Sequence, residues 1–164
     1  MPRILLVDDN PDMRGWVSTV LQQADYAVDV LPGDEGVQRL MSLGLIDLAL
    51  FDHHLPSKSG LTLLREIRAA SITTPVVMLT ADSSQQLAAE CFRAGASDFI
   101  AKPIDPDYLK IVVERALSTK SSTLKNTAYK GMAYMRHKSE CSFHSDSDSC
   151  DCGLMDIFKE IQDF

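Results

Sequence analysis

The sequence predicts an α/β domain: a five-stranded parallel sheet covered on both faces by helices, followed by a short C-terminal appendage. Three observations lead there. Apolar runs such as Ile4–Val7 and Val76–Leu79 are too short for helices and lack the polar alternation of a half-exposed strand, so they read as strands buried on both faces. Between them lie segments with apolar residues at three- and four-residue spacing, the alternation that builds parallel sheets. Several runs also end abruptly in polar groups. Val7 gives way to Asp8-Asp9, Phe51 to Asp52 and Leu79 to Thr80, and strand C-termini are where open α/β sheets place their ligand crevices.

Taken in order, residues 3–7 form the first strand. Asn10-Pro11-Asp12 opens a helix, because Asn caps and Pro suits the first turn, with Met13, Trp16, Val17, Val20 and Leu21 as its apolar face. Tyr26–Leu31 is a second strand, broken by Pro32-Gly33-Asp34, and Val37, Leu40 and Met41 mark a short helix. Ile46–Phe51 is the third strand. Gly60–Ala70 is a helix with Leu61, Leu64 and Ile67 inward. Thr73-Thr74-Pro75 introduces a fourth strand, 76–79. Asp82-Ser83-Ser84 caps a helix through Ala94, which Gly95 stops. Asp98–Ala101 is a short fifth strand, ended by Lys102-Pro103. Asp105-Pro106 starts a last helix, running to about Thr119. Crossovers between parallel strands are expected to be right-handed.

The chain has 164 residues, 45% of them apolar, which suffices for one ordinary domain with some excess. Net charge is −7, and no Lys/Arg cluster is dense enough for a nucleic-acid footprint. No apolar run approaches the roughly 18 residues of a membrane span, and Met-Pro-Arg with four apolar residues is too short for a signal peptide. The expectation is a soluble cytoplasmic protein.

Asp8, Asp9 and Asp52 cannot share one sheet edge fully ionised without cost, since like charges about 4 Å apart repel by several kcal/mol at a protein-like dielectric. A hard divalent cation relieves this, and Mg2+ prefers one or two carboxylates together with water and phosphate oxygens. Lys102 brings a cation to the same edge and Thr80 a hydroxyl, a set suited to stabilising the oxygens of a phosphoryl group in transfer. Asp52, alone at its strand tip, is the natural acceptor carboxylate, giving an acyl phosphate.

These residues resemble the receiver domain of two-component response regulators. The matching residues are Asp8-Asp9 after the first strand and Asp52 with Leu55-Pro56 and Gly60 after the third. Thr80-Ala81 follows the fourth, and Gly95-Ala96-Ser97-Asp98-Phe99-Ile100-Ala101-Lys102-Pro103 spans the fifth, all in family order across residues 1–119. The resemblance implies a flavodoxin-like (βα)5 doubly wound sheet. It implies that Asp52 accepts phosphate from a histidine kinase or histidine phosphotransferase. Asp9, Asp52 and the His54 backbone carbonyl would hold Mg2+, with Asp8 acting through water. Thr80 and Phe99 would be the switch pair, and Lys102 would contact the phosphate. His53-His54 after the acceptor departs from the family pattern. Both imidazoles invite a metal-ligand reading, but neighbours on an extended chain point to opposite sides, which assigns at least one to the surface.

Other readings differ at named residues. A haloacid-dehalogenase-type aspartyl-phosphate hydrolase wants Asp-x-Asp, and His54 stands at the second place. A flavin-binding flavodoxin wants a Ser/Thr/Gly-rich phosphate loop where Asp8-Asp9 stand. A phosphorylation-independent adaptor or scaffold does not need the full acidic set with Lys102, and a fragment of a larger hybrid signalling protein stays open.

Beyond Thr119 the character changes. Residues 120–138 carry five basic residues and no acid, and 139–156 carry five acids and no Lys or Arg, including Ser145-Asp146-Ser147-Asp148-Ser149. Cys141, His144, Cys150 and Cys152 offer four soft ligands that suit tetrahedral Zn2+, with His137 as a spare; a flexible acidic linker with incidental cysteines is the other reading. Leu154, Ile157, Phe158 and Ile161 give the last segment, 153–164, an amphipathic helical spacing. Residues 120–164 are therefore expected to be an appendage to the 1–119 receiver. Output is expected to run through contact with an unidentified protein or a second copy of the chain.

Overall fold

The computed structural model describes residues 1–82 and 84–118. Five strands alternate with five helices in the order β1 (Arg3–Val7), α1 (Pro11–Gln22), β2 (Ala27–Leu31), α2 (Val37–Ser42), β3 (Leu48–Asp52), α3 (Gly60–Ala69), β4 (Val76–Thr80), α4 (Gln85–Arg93), β5 (Asp98–Ala101) and α5 (Pro106–Ser118). All pairings are parallel, and the sheet order is β2-β1-β3-β4-β5. The chain moves outward from β1 to β2, then crosses back to β3 on the other side of β1. The order therefore reverses between β1 and β3, where doubly wound sheets open a crevice beyond their strand tips.

Side chains alternate across a strand, which splits the core in two. Ile4, Leu6, Leu48, Leu50, Val77, Leu79 and Ile100 pack with Val17, Val20 and Leu21 of α1 and Leu109, Val112, Val113 and Ala116 of α5. The other phase, including Leu5, Val7, Ala49, Phe51, Met78 and Phe99, is equally buried and belongs to the opposite face, where Gly60 at the start of α3 lies against the Met78 methyl. Helices α1, α3 and α4 begin at side-chain caps: Asn10 accepts from the Asp12 and Met13 amides, Ser59 from Thr62 and Ser84 from Leu87.

The expected boundaries shift by one or two residues. β2 begins at Ala27 rather than Tyr26, β3 at Leu48 although Ile46 is buried, and β3 and β4 extend to include Asp52 and Thr80. Trp16 sits at the half-exposed margin of the expected apolar face. It remains 38% exposed, because Val17, Val20 and Leu21 already fill the stripe of α1 that meets the sheet.

Candidate functional site

Asp8, Asp52 and Lys102 continue a single alternation. Ile4, Leu6 and Asp8 share one phase, as do Leu48, Leu50 and Asp52 in the neighbouring strand, and Ile100 precedes Lys102 by two residues. The three polar groups accordingly emerge together at the strand tips. Lys102 Nζ lies 2.9 Å from Asp8 Oδ2 and 3.0 Å from Asp52 Oδ2. Asp8 is fully buried and Asp52 is 4% exposed, while Asp9 faces outward.

Each carboxylate is held. The Asn10 amide donates to Asp8 Oδ1 at 2.8 Å, so both oxygens of Asp8 are engaged. The His54 amide donates to the Asp52 carboxylate. Burial raises the Asp52 pKa above the ordinary carboxyl value; the hydrogen bond and charge of Lys102 oppose that rise without cancelling it. For Lys102 the balance goes the other way. Burial lowers the pKa, but hydrogen bonds to Asp8 and Asp52 and their charges outweigh it, and the ammonium is more firmly protonated than a free lysine.

The remaining sequence-assigned residues fall on the same edge. Thr80 ends β4 fully buried; its hydroxyl accepts from the Asp82 amide at 3.0 Å, and its carbonyl accepts from the Lys102 amide at 2.6 Å. Phe99 is fully buried, and its register partner on β4 is Met78, two residues before Thr80. Thr80 and Phe99 thus share the sheet face opposite the α1–α5 layer. The His53 and His54 rings do not diverge. The chain bends at His53, and their centroids lie 4.9 Å apart in an edge-to-face arrangement, with His54 exposed. Burial, and then the His54 charge, hold the His53 pKa below its usual value. Cys141, His144, Cys150 and Cys152 lie outside the described residues.

Arg14 takes on weight only in the structure, and Gly60, noted in the sequence as a motif residue, gains its physical reason there. Arg14 on α1 donates from Nη1 to the carbonyls of Asp8 and Asp9, both at 2.8 Å, clamping the turn that carries the acidic pair. The sequence signal for it is a cation near a helix N-terminus, where the macrodipole disfavours one unless a specific acceptor is nearby. A Cβ at Gly60 would strike the Asp52 carbonyl oxygen, so only glycine lets α3 start against the end of β3.

One ligand oxygen from each of Asp8, Asp9 and Asp52 falls within 4.8 Å of the others. Three hard oxygen donors in that space, with open solvent on the Asp9 side, fit Mg2+ better than a soft metal.

A doubly wound parallel sheet with carboxylates, a hydroxyl and an ammonium gathered at its strand tips defines a flavodoxin-like α/β domain with a polar site at the carboxyl edge of its sheet. The chain belongs to the response regulator receiver domain family, whose sequence profile matches residues 4–114. Similar curated proteins include the transcriptional regulatory protein DltR of Streptococcus agalactiae, 35% identical over 74% of this chain and 54% of that one. The regulatory protein AtoC of Escherichia coli is 33% identical over 73% and 26% respectively. The chain thus spans about half or less of the length of these curated relatives. Among solved structures, the receiver domain of Francisella response regulator 1452 superposes with a TM-score of 0.70 at 25% identity, covering 73% of this chain and 99% of that one. The BeF3-activated DrrB receiver domain gives 0.64 at 31% identity, covering 72% and 98%.

Proposed function

We propose that this chain is a phosphorylation switch. Asp52 accepts a phosphoryl group from a phosphohistidine of a kinase or phosphotransferase, and the modified domain signals through a protein–protein surface. The observation that carries this reading is the position of Lys102 Nζ, within 3.0 Å of both Asp8 and Asp52 at the sheet's switch point. In the transfer, an Asp52 oxygen bonds to phosphorus as the P–N bond of the donor breaks and the imidazole nitrogen keeps the electron pair. Lys102 then gains a phosphoryl oxygen as partner in place of a carboxylate oxygen, and the Thr80 hydroxyl is the donor available from β4.

Asp9, Asp52 and the His54 carbonyl would hold Mg2+, with Asp8 acting through water; bound there, the ion neutralises charge on the phosphoryl oxygens. Thr80 and Phe99, on one face of adjacent strands, are the pair through which modification biases the output surface. This reading carries a cytoplasmic location with it, where a kinase would present its phosphohistidine; no helix among the described residues is long and apolar enough to cross a membrane.

Native mass spectrometry after incubation with Mg2+ and acetyl phosphate tests the reading. One added phosphoryl mass, absent in Asp52→Ala and absent without Mg2+, supports it. No gain under conditions that modify a control receiver favours a phosphorylation-independent scaffold.

A further inference from the structure

In the sheet order, β2 and β3 flank β1, whose tip leads into Asp8 and Asp9. The loops leaving those two flanking strands are tied to each other. Asp34, after β2, accepts at Oδ1 from the Ser57 hydroxyl, and its Oδ2 lies 3.1 Å from Lys58 Nζ, both partners being in the loop after β3. Lys58 also reaches Glu66 on α3, 3.1 and 2.9 Å from its two carboxylate oxygens. At its base the 53–59 loop is closed by backbone. Gly60 donates its amide to the His53 carbonyl at 2.8 Å, and His54 pairs with Ser59 in a single antiparallel bridge. The base therefore holds His54, and the outer end is fixed from the opposite side of β1.

These ion pairs are poorly placed to stabilise the fold. The Lys58 side chain is 29% exposed and Glu66 44%, and solvent-accessible pairs contribute little to global stability. Their connectivity suits another purpose. A loop that is already ordered loses less conformational entropy when one of its backbone carbonyls becomes a ligand. Outer-sphere contacts that orient a ligand commonly change metal affinity far more than they change folding.

We propose that Asp34, Ser57 and Lys58 form a positioning latch that fixes the 53–59 loop, and with it the His54 carbonyl, for divalent-cation binding at the Asp8–Asp9–Asp52 cluster. The latch rests on the switch reading above, because it assigns the His54 carbonyl to the same ion. None of its three residues touches the phosphoryl group; they act through the loop.

The test is the sign of one change. If Lys58 acted on the metal only through its charge, Lys58→Met would remove a cation near an acidic cluster and tighten Mg2+ binding. The latch requires the opposite. Calorimetric titration of the full chain with MgCl2 at fixed ionic strength should show Lys58→Met binding Mg2+ more weakly, on the order of 3- to 10-fold. Lys58→Arg should restore the wild-type value, and Asp34→Asn should weaken binding by a similar factor. Urea midpoints of the variants should stay close to wild type, which separates positioning from folding. Equal or tighter Mg2+ binding by Lys58→Met, with wild type still taking a phosphoryl group from acetyl phosphate, overturns the latch and leaves the switch intact. A wild type that neither binds Mg2+ nor accepts the phosphoryl group overturns both.

Discussion

The ammonium of Lys102 stands 3.0 Å from the carboxylate of Asp52, although fifty residues of chain separate them. The link follows from sheet order. β3 and β5 flank β4, and Asp52 and Lys102 leave their strands on the same side of the sheet edge.

Removing that cation leaves Asp8 and Asp52 as buried carboxylates without their shared partner. Lys102→Met should lower stability at neutral pH by about 3 kcal/mol in metal-free buffer, because breaking a buried pair strands the remaining charge. Mg2+ should raise the urea midpoint of the variant more than that of wild type, since the ion then takes over charge compensation. Equal stabilisation of both proteins would contradict this.

The raised pKa of Asp52 fixes the sign of one pH effect. Burial, the largest cause, lifts the folded-state value above the unfolded one despite Lys102. The folded protein therefore holds this proton more tightly, and the associated stability is complete below the ordinary carboxyl pKa and lost as pH rises through the folded value. Asp52→Asn lacks this loss. Its urea midpoint relative to wild type should climb as pH rises above the ordinary carboxyl range in metal-free buffer. A difference that stays constant as pH rises would count against burial as the dominant influence.

Gly60→Ala places a methyl against the Asp52 carbonyl oxygen and near the Met78 methyl. The obstacle is backbone in a central strand, so relief requires α3 to shift. Chemical denaturation should show a loss of about 3 kcal/mol, and phosphoryl uptake from acetyl phosphate should slow even at temperatures where the variant is folded.

Arg14→Met should cost less, about 1–2 kcal/mol, because the exposed Asp9 carbonyl regains water while that of buried Asp8 loses a partner. Its Mg2+ affinity should fall as the Asp8–Asp9 turn loosens, readable by calorimetry. Unchanged affinity would make Arg14 a fold residue only.

Much of this was legible in the sequence for a physical reason. Parallel strands buried on both faces read as unbroken apolar runs, and Asp8, Asp52 and Thr80 interrupt those runs at the strand tips. Lys102 was legible through its place after the fifth run. What escaped depends on which surfaces meet. Trp16 has the right spacing for the core stripe, and only the sheet's position shows that Val17, Val20 and Leu21 fill it without the indole. The His53–His54 contact depends on a chain bend that an extended-strand rule misses. The Asp34–Ser57–Lys58 ties and the Arg115–Asp98 ion pair join residues 17 to 24 positions apart with no periodic signal between them.

The most direct measurement is to locate the phosphoryl group. The chain is incubated with Mg2+ and acetyl phosphate, reduced with borohydride, digested and sequenced by mass spectrometry; reduction of an aspartyl phosphate leaves homoserine at the modified position. Homoserine at residue 52 alone is the expected result. Homoserine at residue 8 or 9, or a phosphoryl group retained on His53 or His54, would contradict Asp52 as the acceptor.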